Sequence, residues 1–501
     1  MKLTFHQTSF LVFTCLSTSI YAQTERAAFT ETGRGAANAF VTDYHALGIN
    51  PANLAFGNEY NKQLTIGFGQ LSFSNYGEGF TKSQLWDAIS GADAELTFRE
   101  KLEAAENFEN TVLSLDATVL AFGMAINTQK AGNFSFSIGS RFSFFSKFNN
   151  TASSHLWRGF TDPYFDQWIV SGPDGIRDTI ANQGINSSEL ENVILGYSSD
   201  PQLASDLYDG SVLRAMAYTE YSFGYGKTLF ENDDITINAG AGIKYLQGLY
   251  ILNVAIEENE VISAFTASTP ALDIDYGSGA NNNPSAVTGS GFKPVGSGFG
   301  FDLGLSVELS NQFRVAASIT DIGSITFDGN VYSSADTLVY DYESTGLESY
   351  NVFAEFDVFA GDKGLFQWDG LQEQKVNLPT QFRLGMGYFH SDQFRFGLDV
   401  NLPMNDEPGN IDRMAFAAGV DYIPIPLIRF SAGIGAGDNY GFRVPFGLNF
   451  MVGEGAWEFG VATRDILFFL RDDRPNISAA VGFLRFRFGT LEQGSQSRMF
   501  E

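Results

Sequence analysis

Apolar and polar residues alternate in phase from 381 to 402 across a short polar turn, and this two-residue rhythm recurs along much of the chain. Phe382, Leu384, Met386 and Tyr388 fall on one face, answered after the turn by Phe394, Phe396, Leu398 and Val400. The opposite face holds Arg383, Gly385 and Gly387, then Arg395, Gly397, Asp399 and Asn401. A soluble antiparallel sheet also alternates, but its polar face is the outer one, where charged side chains meet water freely. Here the apolar face is rich in aromatic residues and the other combines glycine with Arg and Asp. That combination suits a lipid-facing exterior around a crowded polar lumen, so the rhythm predicts an all-β fold, a transmembrane antiparallel β-barrel.

Strand-like segments lie at about 62–75, 111–128, 132–148, 212–228, 234–256, 260–275, 297–310 and 312–328. Others follow at 335–358, 378–390, 393–403, 413–423, 427–437, 441–452, 455–465 and 476–489. Some of these merge or lie outside the membrane, and an even count is the rule for bacterial single-chain barrels, so about 14 strands are expected, within about 12 to 16. The last third has hairpins joined by a few residues, such as Ser391-Asp392 and Gly437-Asp438-Asn439, whereas the first half carries long insertions at 82–110 and 149–211. Residues 82–110 contain a Glu/Ala-rich run with apolar residues near helical spacing, and 186–209 looks similar, with Ser187-Ser188 as a cap. Between them lies the aromatic stretch Trp157 to Trp168, so a partly helical loop domain or partial plug is expected there. Residues 277–300 read as a flexible Gly/Asn-rich loop.

The amino terminus supplies the compartment. Lys2, an apolar run from Phe10 to Leu16 and small residues up to Ala22 read as a secretory signal, residues 1–22, cut before Gln23. A lipoprotein alternative would modify Cys15, but Val12-Phe13-Thr14 is a poor lead-in for it. Cys15 is the only cysteine, so the processed chain has no disulfide or thiol chemistry. The location expected is the outer membrane of a Gram-negative bacterium, crossed many times. After the signal come a segment 23–60, the barrel over 61–489 and a tail 490–501. A chain of 501 residues would ordinarily divide into several domains, yet no Pro-rich or Ser-rich linker separates blocks, and one large closed sheet accounts for that. The formal charge of −28 argues against nucleic acid as a partner, which wants a basic surface.

Chemistry is hard to find in the pattern. Beyond the signal, His45, His155 and His390 are isolated, with no context for a Ser-His-acid arrangement, so an enzyme is not expected. Asp162, Asp166 and Asp174 lack the alternating spacing of a calcium loop, and solvated acidic loops explain them better. Neither a metal nor a cofactor is expected. The inward row is the remaining feature: Arg141, Arg314, Arg383, Arg395, Arg429, Arg443 and Arg464 alternate with Asp116, Asp302, Glu308, Asp399 and Glu458. Paired, these charges fill and stiffen the barrel; left as a basic stripe, they would guide an anionic or amphipathic solute. Interspersed acids favour the first reading. Inward glycines such as Gly385 and Gly397 leave room for a path, which the paired charges and any hatch should narrow, so a steady large conductance is not expected.

Residues 33–55 carry a family likeness. A small-residue run, Gly35, Ala36, Ala37 and Ala39, leads to Asn50-Pro51-Ala52 and Leu54, and this resembles the amino-terminal segment of the long-chain fatty-acid transporter family and of type IX secretion-associated outer-membrane proteins of Bacteroidota type. The resemblance implies that Gly35, Ala37, Asn50, Pro51 and Ala52 belong to a hatch folded into the barrel. Physically, Gly and Ala let backbone pass close to a wall, and Asn-Pro fixes a turn whose amide can satisfy nearby backbone groups. An ordinary linker before the first strand is the alternative. No counterpart of a dedicated fatty-acid pocket accompanies the likeness. Two functions follow as expectations: a porin-like channel or transporter for hydrophobic or amphipathic small molecules, or a plugged barrel whose loops bind a secretion or surface protein. Outer-membrane lipid is a partner in both.

Overall fold

The computed structural model describes residues 28–90, 95–128, 131–172, 177–350, 366–411, 413–437 and 440–491. The signal at 1–22, Asp174 and nearly all of the tail lie outside these residues.

Fourteen antiparallel strands close into a barrel. The first five are β1 (Lys62–Gly77), β2 (Val112–Ile126), β3 (Asn133–Lys147), β4 (Val212–Glu231) and β5 (Ile235–Glu257). Next come β6 (Gly296–Leu309), β7 (Phe313–Phe327), β8 (Gln381–Phe389), β9 (Phe394–Pro403) and β10 (Ala415–Ile425). The wall ends with β11 (Ile428–Gly437), β12 (Phe446–Val452), β13 (Trp457–Thr463) and β14 (Asn476–Thr490). Each strand pairs with the next, and β14 returns to β1 through partners such as Leu64 and Phe488, so the wall has no free edge. Closure is what permits strands to cross lipid, because every ladder amide then finds a partner inside the sheet. No helix among the described residues is long and apolar enough to span a membrane.

Solvent sorts the two faces as the rhythm predicts. Leu384, Met386, Phe396 and Leu398 are 40–49% exposed on the outside, while Arg383, Arg395 and Asp399 are buried within. This closed wall with an apolar belt is that of an outer-membrane barrel. Short turns all fall at one end, as at 232–234, 310–312 and 426–427, and long connections at the other. By the usual asymmetry the short turns are periplasmic and the long connections extracellular.

The two surplus sequence segments resolve differently from a wall strand. Residues 260–275 give a strand at Glu260–Ser268 that pairs only with the upper part of β5 and with Val331–Ser333, extending the sheet above the barrel. From 335–358 the described residues contribute Asp341–Tyr342, which joins a separate four-stranded sheet with Gln167–Ser171, Arg177–Ala181 and Val193–Tyr197. The helical expectation for 186–209 is corrected here. A short 3-10 turn precedes a strand at Val193–Tyr197, and only Ala204–Leu207 is helical, because the run Val-Ile-Leu-Gly-Tyr finds a ladder on Gln167–Ser171. The 82–110 expectation gives two helices, α1 (Lys82–Ser90) and α2 (Phe98–Asn107). Thr97 and Glu100 close a capping box at the start of α2. A third helix, α3 (Asn150–Arg158), starts at Asn149, whose side chain accepts from the Ala152 N–H at 2.8 Å. The helices bury Phe80, Leu85, Ala104, Leu156 and Trp157 against Leu113, Phe144 and Leu213 at the upper strand ends.

Candidate functional site

The lumen is occupied by residues 28–57, which run along the inner wall in short turns. Sequence dictates the turns. Gly35 and Gly48 adopt left-handed backbone, with φ of 79° and 71°. Pro51 opens the 3-10 turn Pro51–Phe56, and Asn50 caps it, accepting from the Ala52 N–H at 3.0 Å. Ala37, Val41, Ala46, Leu47, Ile49 and Leu54 form a small core of the segment itself.

Glycine on the wall is what lets this segment fit. A side-chain carbon at Gly226 would lie 2.7 Å from Leu54 Cβ, one at Gly385 2.8 Å from Asn38 Cβ, and one at Gly397 3.0 Å from Ala36 Cβ. The inward glycines therefore leave no standing path at these positions. The space they vacate is taken by the segment.

Polar bonds hold it in place. The Asp399 carboxylate accepts the Ala37 and Asn38 N–H groups at 2.6 and 2.8 Å, and Asp302 accepts that of Gly48 at 3.1 Å. Arg314 donates to the Ala39 carbonyl at 3.0 Å while pairing with Glu308 at 2.6 Å, and Ser318 donates to Ile49 O at 2.6 Å. Ion pairs tie further points to the wall: Arg34 to Asp421, Asp43 to Arg485 at 2.5 Å and, just past the segment, Glu59 to Arg395 and, at 3.6 Å, to Arg429. Glu458 takes Arg485 at 2.9 Å and Arg487 at 2.5 Å.

The residues singled out in sequence are thus distributed round one lumen. Gly35, Ala37, Asn50, Pro51 and Ala52 are in the segment, and Gly35 sits where a side-chain carbon would meet Pro445 at 3.1 Å. Asp399 meets the segment directly, and Arg395 and Arg429 meet Glu59 just past it; Arg383 donates to Gln381 Oε1 at 2.8 Å. Arg443 lies off the regular strands, its backbone exchanging two bonds with Gly435 and its guanidinium 6.0 Å from the Tyr440 ring. Sequence reasoning passed over Arg485 and Arg487, although their two-residue spacing on β14 carries the same inward signal. It also missed Lys244, buried between Asp302 and Asp321 at 2.6 and 2.5 Å, and Arg34 within the segment itself. His45 is buried against Gln70 at 2.7 Å and His155 against Tyr208 at 2.9 Å, while His390 meets the Tyr388 hydroxyl at 3.1 Å in a periplasmic turn. Asp162 is buried beside His155, and Asp166 binds Ser199 on the surface. Among the described residues no three His, Cys, Asp or Glu gather as a metal site.

A second feature lies at the extracellular end. A small apolar cavity of about 20 Å³ is lined by Phe148, Leu156, Tyr208, Val212, Ile256 and Phe366 among others. It lies between α3, Phe366 and the upper ends of β4 and β5.

A sequence model described as a family of unknown function (DUF5723) matches residues 201–459, a little over half the chain, and the chain belongs to that family. No curated protein matches it. Several solved structures are similar along most of its length. The toluene transporter TodX of Pseudomonas putida aligns over 94% of this chain and 99% of its own, with 10% identity and a TM-score of 0.43. A deletion mutant of TodX, described as a monoaromatic hydrocarbon channel, aligns over 92% and 99%, with 11% identity and 0.45. A Pseudomonas aeruginosa FadL homologue aligns over 94% and 100%, with 12% identity and 0.39. At these values the barrel rests on its own strand register.

Proposed function

We propose that this member of the family is an outer-membrane channel or transporter for hydrophobic or amphipathic small molecules, with residues 28–57 as its hatch. The observation that carries the reading is the lumen filled by residues 28–57, with apolar residues round a small cavity above it at the extracellular end. A polar solute finds no bond on Phe148, Leu156, Val212 or Ile256, whereas an apolar one trades water for carbon contact, worth roughly 25 cal/mol per Å² buried. The filled lumen supports the same reading from below, because a general porin needs a standing aqueous path and this one is occupied by chain. The likeness of residues 33–55 to the fatty-acid transporter segment adds to it.

The test compares oleate and toluene uptake with ion conductance in cells and planar bilayers. Leu156→Asp should abolish uptake of both probes while leaving conductance low. Deleting residues 33–50 should raise conductance and end selective uptake together. Unchanged uptake in both variants would overturn the proposal.

A second reading, a plugged barrel that binds a protein, is favoured by one observation. The four-stranded sheet outside the barrel ends in Arg177–Ala181, which among the described residues pairs on one side only, and such an edge is a template for a strand from another chain. The resemblance of residues 33–55 to secretion-associated barrels points the same way. Co-purification of a secreted protein with a barrel that takes up neither probe would favour it.

A further inference from the structure

The lipid-facing wall changes character beside β13. That strand has seven residues, Trp457–Thr463, where a tilted strand needs about 9–11 to cross the hydrocarbon core. At its extracellular end the chain does not continue the ladder but turns into a 3-10 turn, Ile466–Phe469. The turn is braced on the wall: Ile466 N–H donates to Val444 O at 2.8 Å, and the buried Asp465 carboxylate accepts from the N–H groups of Val444 and Leu467 at 3.0 and 3.1 Å. Its far side is braced on α1, where Lys82 N–H donates to Asp472 O at 2.7 Å and the Lys82 ammonium lies 5.0 Å from the Phe468 ring.

A braced turn would be expected to bury its apolar side chains, yet Phe469 is 70% and Leu470 81% exposed. Phe442 is 53% exposed on the neighbouring segment, where the in-and-out alternation of β12 continues upward through Val444. Below them on the same outer face lie Val461 and Phe446, exposed as members of the belt. The patch is therefore continuous with a surface already facing lipid. Lys82 and Arg474, with Trp86 one turn along α1 from Lys82, border the patch, and such side chains beside an apolar belt reach for head groups while their apolar stems stay below.

We propose that Phe442, Phe469 and Leu470 form a wedge embedded in the outer leaflet, completing the apolar belt where β13 is too short to do so. The occupant of this patch is lipid acyl chain. Without it, a rigid turn would hold large apolar side chains in water at the edge of a membrane.

Cys15 is the only cysteine in the sequence, so Leu470→Cys in a chain also carrying C15S gives one site for an environment-sensitive NBD label. In liposomes, the label at 470 should be quenched by nitroxide lipids, more strongly by a nitroxide near the head group than by one at the chain end, and should be shielded from aqueous iodide. Leu398→Cys, in the belt, gives the lipid reference and Leu338→Cys, exposed on an extracellular connection, the aqueous one. Iodide quenching at 470 equal to that at 338, with no nitroxide effect, would overturn the wedge. Shielding from both quenchers would overturn it too, by showing a protein on the patch. Phe469→Cys repeats the measurement should the first variant fail to fold.

Discussion

The two surfaces of one strand set show opposite design. Outside, Leu384, Met386, Phe396 and Leu398 touch lipid, and any apolar side chain of similar size meets the requirement. Inside, one residue along, Gly385, Gly397, Arg395 and Asp399 each face a particular atom of residues 28–59. Lipid is a solvent, so the outer face is specified only by polarity. The inner face is a packed interface in which charge, size and position are all fixed. Alternate residues in one chain therefore differ in how much a substitution should cost and in what it should disturb.

The sharpest break is a charge removed from inside. Arg485→Met leaves Asp43 without its ion-pair partner and Glu458 short of one, both buried, and breaking such a pair costs about 3–5 kcal/mol. Urea unfolding in liposomes should show the loss, and the double variant Arg485→Met, Asp43→Leu should recover part of it. A single variant as stable as wild type would mean that water reaches this part of the lumen.

Placing a charge outside comes next. Leu398→Arg sets a guanidinium in the belt and should cost about 2–4 kcal/mol near the midplane, less toward an interface. Arg at the extracellular position Leu338 should be tolerated. Equal tolerance at 338 and 398 would break the assignment of faces.

Size separates the surfaces more gently. Gly226→Val would drive side-chain carbons into Leu54 and the Pro51 carbonyl, and overpacking of this kind costs about 1–3 kcal/mol. Because residues 28–57 can move as the strand cannot, the expected sign is a raised single-channel conductance along with the lost stability. An outward change such as Phe396→Leu should leave conductance untouched.

The outer face and the strand number were legible because alternation is local: each strand of the wall declares its phase through its own residues. The inward charges were legible as a row but not as pairs, since Asp43 and Arg485 stand far apart in sequence and only closure of β14 on β1 brings them together. Glycine was ambiguous for the same reason. Gly226 and Gly385 look like vacant space until the segment that fills it is placed. The run at 193–197 misled in the other direction, because its helical neighbours were near in sequence while its ladder partner at 167–171 was set by a fold the pattern does not encode.

Beyond the membrane the contrast between faces should vanish, and a buried carboxylate should follow the rules of a water-soluble protein. Asp162, in the extracellular connection after β3, tests this with the smallest effect. Burial alone would raise its pKa, but the neighbouring His155 ring and the bonds from Ser154 and the Tyr164 N–H outweigh burial and hold it below the ordinary 3.8. A carboxylate with a depressed folded-state value stabilises the fold above its unfolded value, and that contribution is lost as pH falls through the folded one. The loop domain should therefore loosen below about pH 3.8, read as faster proteolysis between α3 and β4 by an acid-active protease while the barrel itself stays intact. Asp162→Asn removes the titrating group, so its cleavage rate should change less over the same interval. A wild-type rate that does not rise on acidification, or a variant whose rate rises as steeply, would show that Asp162 is not what fastens this connection.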